Sequence, residues 1–193
     1  MPLKEYLRLI KKLQAESSGG KALDQDVQEI IRRFDLKPLE IEGGYFRETY
    51  RSKYAIKNEG KKKKHVEDYP RSACTQIYYL ITPSNFSHLH MLSGDEVFHF
   101  YMGDAVEMLL LYPGGFWELK TLGPDFKKEQ EPQIIVPGGT WQGAMLKEGG
   151  EFALLGTTVC PGFEYSDYRP AKDFYAEITS KFSSCKEIIE KYI

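Results

Sequence analysis

Ser87-His88-Leu89-His90-Met91-Leu92-Ser93-Gly94-Asp95-Glu96-Val97-Phe98-His99-Phe100-Tyr101-Met102-Gly103-Asp104, running on from Ala105 to Tyr112, is the stretch that decides the fold. Three short apolar and aromatic segments are separated only by Ser93-Gly94-Asp95 and Gly103-Asp104, which are turn chemistry. No helix of useful length fits between them. The same punctuation extends outward, with turn signals at Thr82-Pro83-Ser84-Asn85, Pro113-Gly114-Gly115, Gly123-Pro124-Asp125 and Gly149-Gly150. Strands are predicted over 45–52, 73–82, 86–92, 96–102, 105–112, 116–121, 132–136, 140–146 and 151–160. Evenly spaced short strands without intervening helices predict an all-β sandwich or barrel and exclude alternating βαβ units.

Helical spacing appears only at the two ends. Leu3, Tyr6, Leu7, Ile10 and Leu13 predict a first helix that Gly19-Gly20 ends. Val27, Ile30, Ile31 and Phe34 predict a second, with Asp24 or Asp26 as N-cap and Pro38 closing the lead-in. Phe174, Ile178 and Phe182 form one side of a helix over 172–182. Ser184 caps a last short helix with Ile188, Ile189 and Tyr192. The expectation is a single domain: N-terminal helices over about 3–36, a barrel over about 42–168 and C-terminal helices over about 172–193, packed outside the barrel.

Composition narrows the function. The chain has 193 residues, 41% hydrophobic and 28% charged, with a net charge of -2. That balance predicts no attraction to nucleic acid or to an anionic membrane. The run Lys61-Lys62-Lys63-Lys64 is expected in a solvated loop over 52–71, a loop long enough to act as a lid. No apolar run approaches the ~20 residues of a transmembrane helix, and no signal-peptide pattern opens the chain. The expected setting is cytoplasmic. Cys74, Cys160 and Cys185 are widely spaced and contain no C-x-x-C pair, so neither a disulfide framework nor a thiolate zinc site is predicted. Cys74 and Cys160 read as inert core thiols. No Gly-x-Ser-x-Gly elbow, P-loop or Gly-x-Gly-x-x-Gly occurs, which sets aside serine-nucleophile and nucleotide-binding classes. Glu42-Gly43-Gly44 reads as a bend or close backbone approach, because no helix N-terminus follows it.

Chemistry concentrates at residues 88–99, which hold three of the four histidines. Residues two apart on a strand share a face, so His88 and His90 can converge. The turn at 93–95 returns the chain antiparallel and sets Glu96 opposite them. Two imidazoles and a carboxylate can ligate Fe, Mn, Ni or Zn, or act as general acid and base in a buried pocket. If Glu96 points inward, then His99 points outward, toward a second sheet or a partner subunit, unless a bulge reverses the parity.

His88-x-His90, Glu96 and Gly103 resemble the first cupin motif, in which two His and a Glu hold a metal, with a slightly longer interval from His90 to Glu96. Pro137-Gly138-Gly139-Thr140-Trp141-Gln142 resembles the second motif, with Gln142 at its histidine position. More specifically, the chain is similar to a cupin-like group long carried as a domain of unknown function, DUF985. The matching stretches are Glu42 to Tyr50, Ile77 to Leu80, Asn85 to His90, Asp95 to Tyr101, Val136 to Gln142 and Val159 to Phe163, within about 25–170. The resemblance implies a cupin jelly-roll β-barrel, usually a homodimer, with kinship to sugar-nucleotide epimerases and to storage and hormone-binding cupins. Its recurrent residues here are Gly43, Gly44, Thr49, Tyr79, His90, Glu96, His99, Gln142, Pro161 and Gly162.

Three functional expectations follow. The first is a barrel that binds a small-molecule ligand and, if it is an enzyme, is expected to carry out metal-independent isomerase or epimerase chemistry on a sugar or sugar nucleotide. There His90 moves the proton, Glu96 orients it and Tyr79 acts opposite, with Arg47, Thr49, His99, Trp141 and Gln142 as substrate-binding residues. The second is a metal-dependent oxygenase or isomerase ligated by His88, His90, Glu96 and Gln142. The third is a non-catalytic, storage-like binding module.

Overall fold

The computed structural model describes residues 20–56 and 71–193. The first predicted helix and the four-lysine run lie outside the described residues. All nine predicted strands are present: β2 (Tyr45–Arg51), β5 (Thr75–Ile81), β6 (Ser87–Met91), β7 (Asp95–Gly103), β8 (Val106–Leu111), β9 (Trp117–Leu122), β10 (Gln133–Val136), β11 (Trp141–Leu146) and β12 (Ala153–Cys160). Four two-residue strands were not predicted: β1 (Lys37–Pro38), β3 (Ala55–Ile56), β4 (Arg71–Ser72) and β13 (Arg169–Pro170).

The strands form a six-stranded sheet ordered β1-β2-β5-β12-β7-β10 and a five-stranded sheet ordered β13-β6-β11-β8-β9, with β3-β4 as a separate pair. Every pairing between these strands is antiparallel. The two sheets face each other as a jelly roll. Tyr79, Phe98 and Leu155 from one sheet and Met108, Leu110 and Ala144 from the other form the core between them. Side-chain alternation sends the neighbours of these residues outward, and helices cover them. Ile30 and Phe34 of the helix Gly20–Phe34 pack on Leu80, Met102 and Leu154 behind the six-stranded sheet. Ile178, Phe182, Ile189 and Tyr192 pack on Leu89, Leu109 and Leu111 behind the five-stranded sheet.

Several helix details differ from expectation. Asp24 and Asp26 lie inside the helix Gly20–Phe34, not at its start. The C-terminal helices are short, Tyr175–Lys181 and Lys186–Ile189, each entered through a 3-10 turn. Ser184 caps neither, and its hydroxyl accepts the Trp117 indole N–H at 3.1 Å. Among the described residues no helix is long and apolar enough to cross a membrane.

Three bulges decide which side chains face the core. On β6, His90 pairs with Gln142 but Ser87 pairs with Ala144, so β6 carries one residue more than β11. On β2, Glu48 faces Ile77 and Tyr50 faces Gln76, which leaves Thr49 as the extra residue. On β7, the pairs Met102–Leu154 and Phe100–Leu155 leave Tyr101 extra. An extra residue flips the parity of everything beyond it.

Candidate functional site

His90, Glu96 and Gln142 meet between the sheets, each almost fully buried. The cross-strand pair His90–Gln142 on β6 and β11 faces Glu96 from β7. The Gln142 amide Nε2 donates to Glu96 Oε2 at 2.6 Å and lies 3.5 Å from His90 Nε2. His90 Nδ1 lies 2.8 Å from the His88 carbonyl oxygen. A carbonyl can only accept, so Nδ1 carries the hydrogen. Nε2 is thereby turned to the site: it accepts from Gln142 when neutral and donates toward Glu42 Oε2, 3.6 Å away, when protonated.

Glu42 is the residue that the sequence did not disclose. Its carboxylate accepts the Ser87 hydroxyl at 2.7 Å and faces His90. Its carbonyl accepts both the backbone N–H and Nδ1–H of His88, at 2.9 and 2.7 Å. The β6 bulge explains the partners, because it brings Ser87 rather than His88 into the core with His90. The following glycines fix the loop. Gly44 has φ 72°, and a Cβ there would sit 2.7 Å from the Tyr79 ring. The Tyr79 hydroxyl donates to the Gly43 carbonyl at 2.9 Å. Tyr168 stacks on His90 with ring centres 5.0 Å apart and donates to the Ile41 carbonyl at 2.7 Å.

A cavity of about 120 Å³ opens onto Glu96. Phe46, Ile77, Leu92, Val159 and Phe163 make its walls largely apolar, Thr157 adds a hydroxyl, and Arg51 with Glu48 and Glu164 forms the rim. Burial lifts the Glu96 carboxyl to about 7, and the charge of Glu42 adds to the rise against the opposing effects of His90, Thr157 and Gln142. Burial and the charge of Glu42 hold the Tyr79 phenol well above its ordinary value. A second cavity of about 370 Å³ shares Leu39, Ile41 and Glu42 with the first and is lined also by His88, Tyr168 and Lys172.

The remaining predicted residues lie elsewhere. His88 falls in the β6 bulge, packs its ring at a tilt against Phe86 with centroids 4.6 Å apart and lines the larger cavity, so it does not converge with His90. Tyr79 is in the core, where its hydroxyl donates to the Gly43 carbonyl. His99 faces outward, between Gln133 and Thr158, while Glu96 faces inward. Arg47 lies over the outward-facing Tyr78 ring at 5.4 Å. Thr49 is the bulged residue, and its hydroxyl donates to the Gln76 carbonyl at 3.1 Å. Trp141 packs against Phe174 under the C-terminal helices. Of the predicted substrate-binding set, only Gln142 reaches the interior.

The two cupin motifs raise the question of a resident metal, and the residues present do not fit one. One imidazole remains after His88 leaves. Gln142 presents its N–H donors to Glu96 and His90, where a cation would need lone pairs. Among the described residues no group of three His, Cys, Asp or Glu side chains is arranged to hold a metal ion.

Residues 28–171 match the model of the cupin superfamily family DUF985. The chain belongs to that family. It is 32% identical over 133 residues to the uncharacterized protein YML079W of Saccharomyces cerevisiae, the match covering 66% of this chain and 66% of the yeast protein. A hypothetical protein from Leishmania major superposes with a TM-score of 0.73 at 28% identity, covering 86% of this chain and 97% of that one. Protein SO0799 from Shewanella oneidensis does so with a TM-score of 0.71 at 27% identity, covering 85% of this chain and 94% of that one.

Proposed function

We propose that the chain is a small-molecule-binding cupin in which Glu96 both anchors the ligand and exchanges a proton with it. The observation that carries this reading is Glu96 itself, a carboxyl with a pKa of about 7 at the inner end of an apolar cavity. A group half protonated at neutral pH is matched to general acid–base work. Gln142 orients it through a short hydrogen bond, and His90 Nε2 lies behind that amide.

The lining also supports a ligand class. Arg51 is the one cation among the described residues around the cavity, and Glu48 and Glu164 already pair with it at 2.9 Å each. Among those described residues a nucleotide diphosphate finds no free positive charge. A compact neutral molecule suits the cavity, with an apolar body against Phe46, Ile77 and Val159 and a hydroxyl or carbonyl at Glu96. An isomerisation that moves one proton is the reaction best suited to a single tuned carboxyl.

The test is a thermal-shift screen of small neutral hydroxy and carbonyl compounds, with binders then incubated in D2O. Binding that weakens at least tenfold in Glu96→Gln, together with deuterium uptake by the ligand only with the wild-type protein, is the expected result. Binders that ignore the substitution would overturn the role of Glu96, and binding without exchange would leave a purely binding module.

A further inference from the structure

Cys74 and Cys160 were expected as separate core thiols, and the structure places them together. β12 and β5 run antiparallel with Val159 facing Thr75. The register carried one residue further sets Cys160 opposite Cys74. Alternation turns Thr75 and Val159 toward the cavity, so Cys74 and Cys160 project from the opposite face of the sheet. Cys160 is exposed and Cys74 half-buried, whereas Cys185 is buried under the C-terminal helices. Directly opposed residues of an antiparallel pair have Cα atoms roughly 4.5–5.5 Å apart. That falls inside the span of roughly 4.4–6.8 Å that a disulfide bridges.

We propose that Cys74 and Cys160 are a reversible dithiol–disulfide site, oxidised by a low-molecular-weight disulfide such as glutathione disulfide. Solvent reaches Cys160 first. Its thiolate attacks one sulfur of the oxidant, forming a mixed disulfide and releasing one glutathione thiolate. The Cys74 thiolate then attacks the Cys160 sulfur and expels the second glutathione. Two protein thiols lose two electrons and two protons, and one glutathione disulfide becomes two glutathiones. Burial and the neighbouring Cys74 side chain push the Cys160 thiol up. Thiolate attack is therefore slow at neutral pH and quickens as pH rises. The bridge ties the start of β5 to the end of β12, one residue from Thr75 and Val159 in the cavity wall. Oxidation thus acts on the strand ends beside the cavity wall, one residue from the Val159–Glu96 pair.

The experiment treats the folded full-length protein with glutathione disulfide at pH 7 and pH 9, quenches it by alkylation, and maps peptides without reduction. A Cys74–Cys160 linked peptide is expected, with Cys185 free, faster formation at pH 9 and full reversal by reduced glutathione. Cys160→Ser abolishes the link and Cys185→Ser leaves it intact. A stable glutathione adduct on Cys160 without a link, a Cys160–Cys160 link between two copies, or three free thiols after prolonged treatment at pH 9 would each overturn the assignment.

Discussion

Replacing Glu96 with Gln tests the central electrostatic claim through stability alone, without a known ligand. The native carboxyl sits at about 7, against an ordinary 4.5. The folded state therefore holds this proton more tightly than the unfolded chain does. Below pH 4.5 both states are protonated and Glu96 adds no penalty. Between 4.5 and 7 the unfolded chain releases the proton first, so the stability of the wild type falls as pH rises. Above 7 both states are ionised and the penalty levels off. A displacement of that size corresponds to about 3 kcal/mol. Gln imitates the neutral carboxyl and does not titrate. The stability of Glu96→Gln relative to wild type is thus expected to rise by about 3 kcal/mol from pH 4.5 to pH 8, roughly 6–12 °C in Tm for a chain of this size. Urea titrations of both proteins at several pH values read the difference directly, and the subtraction cancels the titrating groups that are not coupled to Glu96. A flat difference refutes the raised pKa. A difference that falls with pH shows that the ionised form is the favoured one and removes the acid–base argument with it.

Three further perturbations probe the surroundings. Glu42→Gln removes the charge that raises Glu96 while keeping an acceptor for Ser87, so the Glu96 titration followed by carboxyl 13C NMR is expected to move down. An unchanged midpoint would take Glu42 out of the coupling. His90→Ala deletes a ring that is 1% exposed and leaves Gln142 and Glu42 without their imidazole partner. A loss of about 2–4 kcal/mol in urea unfolding is expected, and a loss under about 1 kcal/mol would show the network to be slack. Gly44→Ala forces a side chain into positive φ and against Tyr79. Its expected cost is about 1–3 kcal/mol by thermal unfolding, and a neutral result would mean that the 42–44 loop is not fixed as described.

The sequence carried much of the barrel because its signals are local. Gly- and Pro-rich turns bracket most of the long strands, and the alternation that places Phe98 inward also places His99 outward. What it could not carry was the parity of the bulged strands. The extra residues on β6, β2 and β7 are ordinary strand formers, with no glycine to mark them. His88-x-His90 consequently read as a converging pair, although the bulge substitutes Ser87 for His88 inside the barrel. Thr49 and Arg47 were misplaced for a related reason, since the face that each occupies depends on sheet order and not on composition. Glu42 was visible only as part of a glycine-marked bend. Nothing in its spacing says that a loop 45 residues from Ser87 closes onto the His90 ring. The Cys74–Cys160 juxtaposition required the β5–β12 pairing, a long-range fact that separate cysteine spacings do not contain.

Gln142 is where this site departs from motifs associated with metal ligation. An imidazole at that position would offer a lone pair beside His90 and Glu96. The amide offers hydrogens, and it spends them on Glu96 Oε2 and toward His90 Nε2. That leaves Gln142 Oε1 buried without a partner, an arrangement that costs free energy unless something donates to it. Turning the amide around would satisfy Oε1 against a protonated Glu96 but would withdraw the donor from His90. The amide therefore has two orientations whose balance depends on the Glu96 proton, with the carboxyl poised near neutrality by burial and Glu42. A donor group on a bound ligand would enter the same balance, which is the physical reason to look for a hydroxyl-bearing molecule at this point in the barrel.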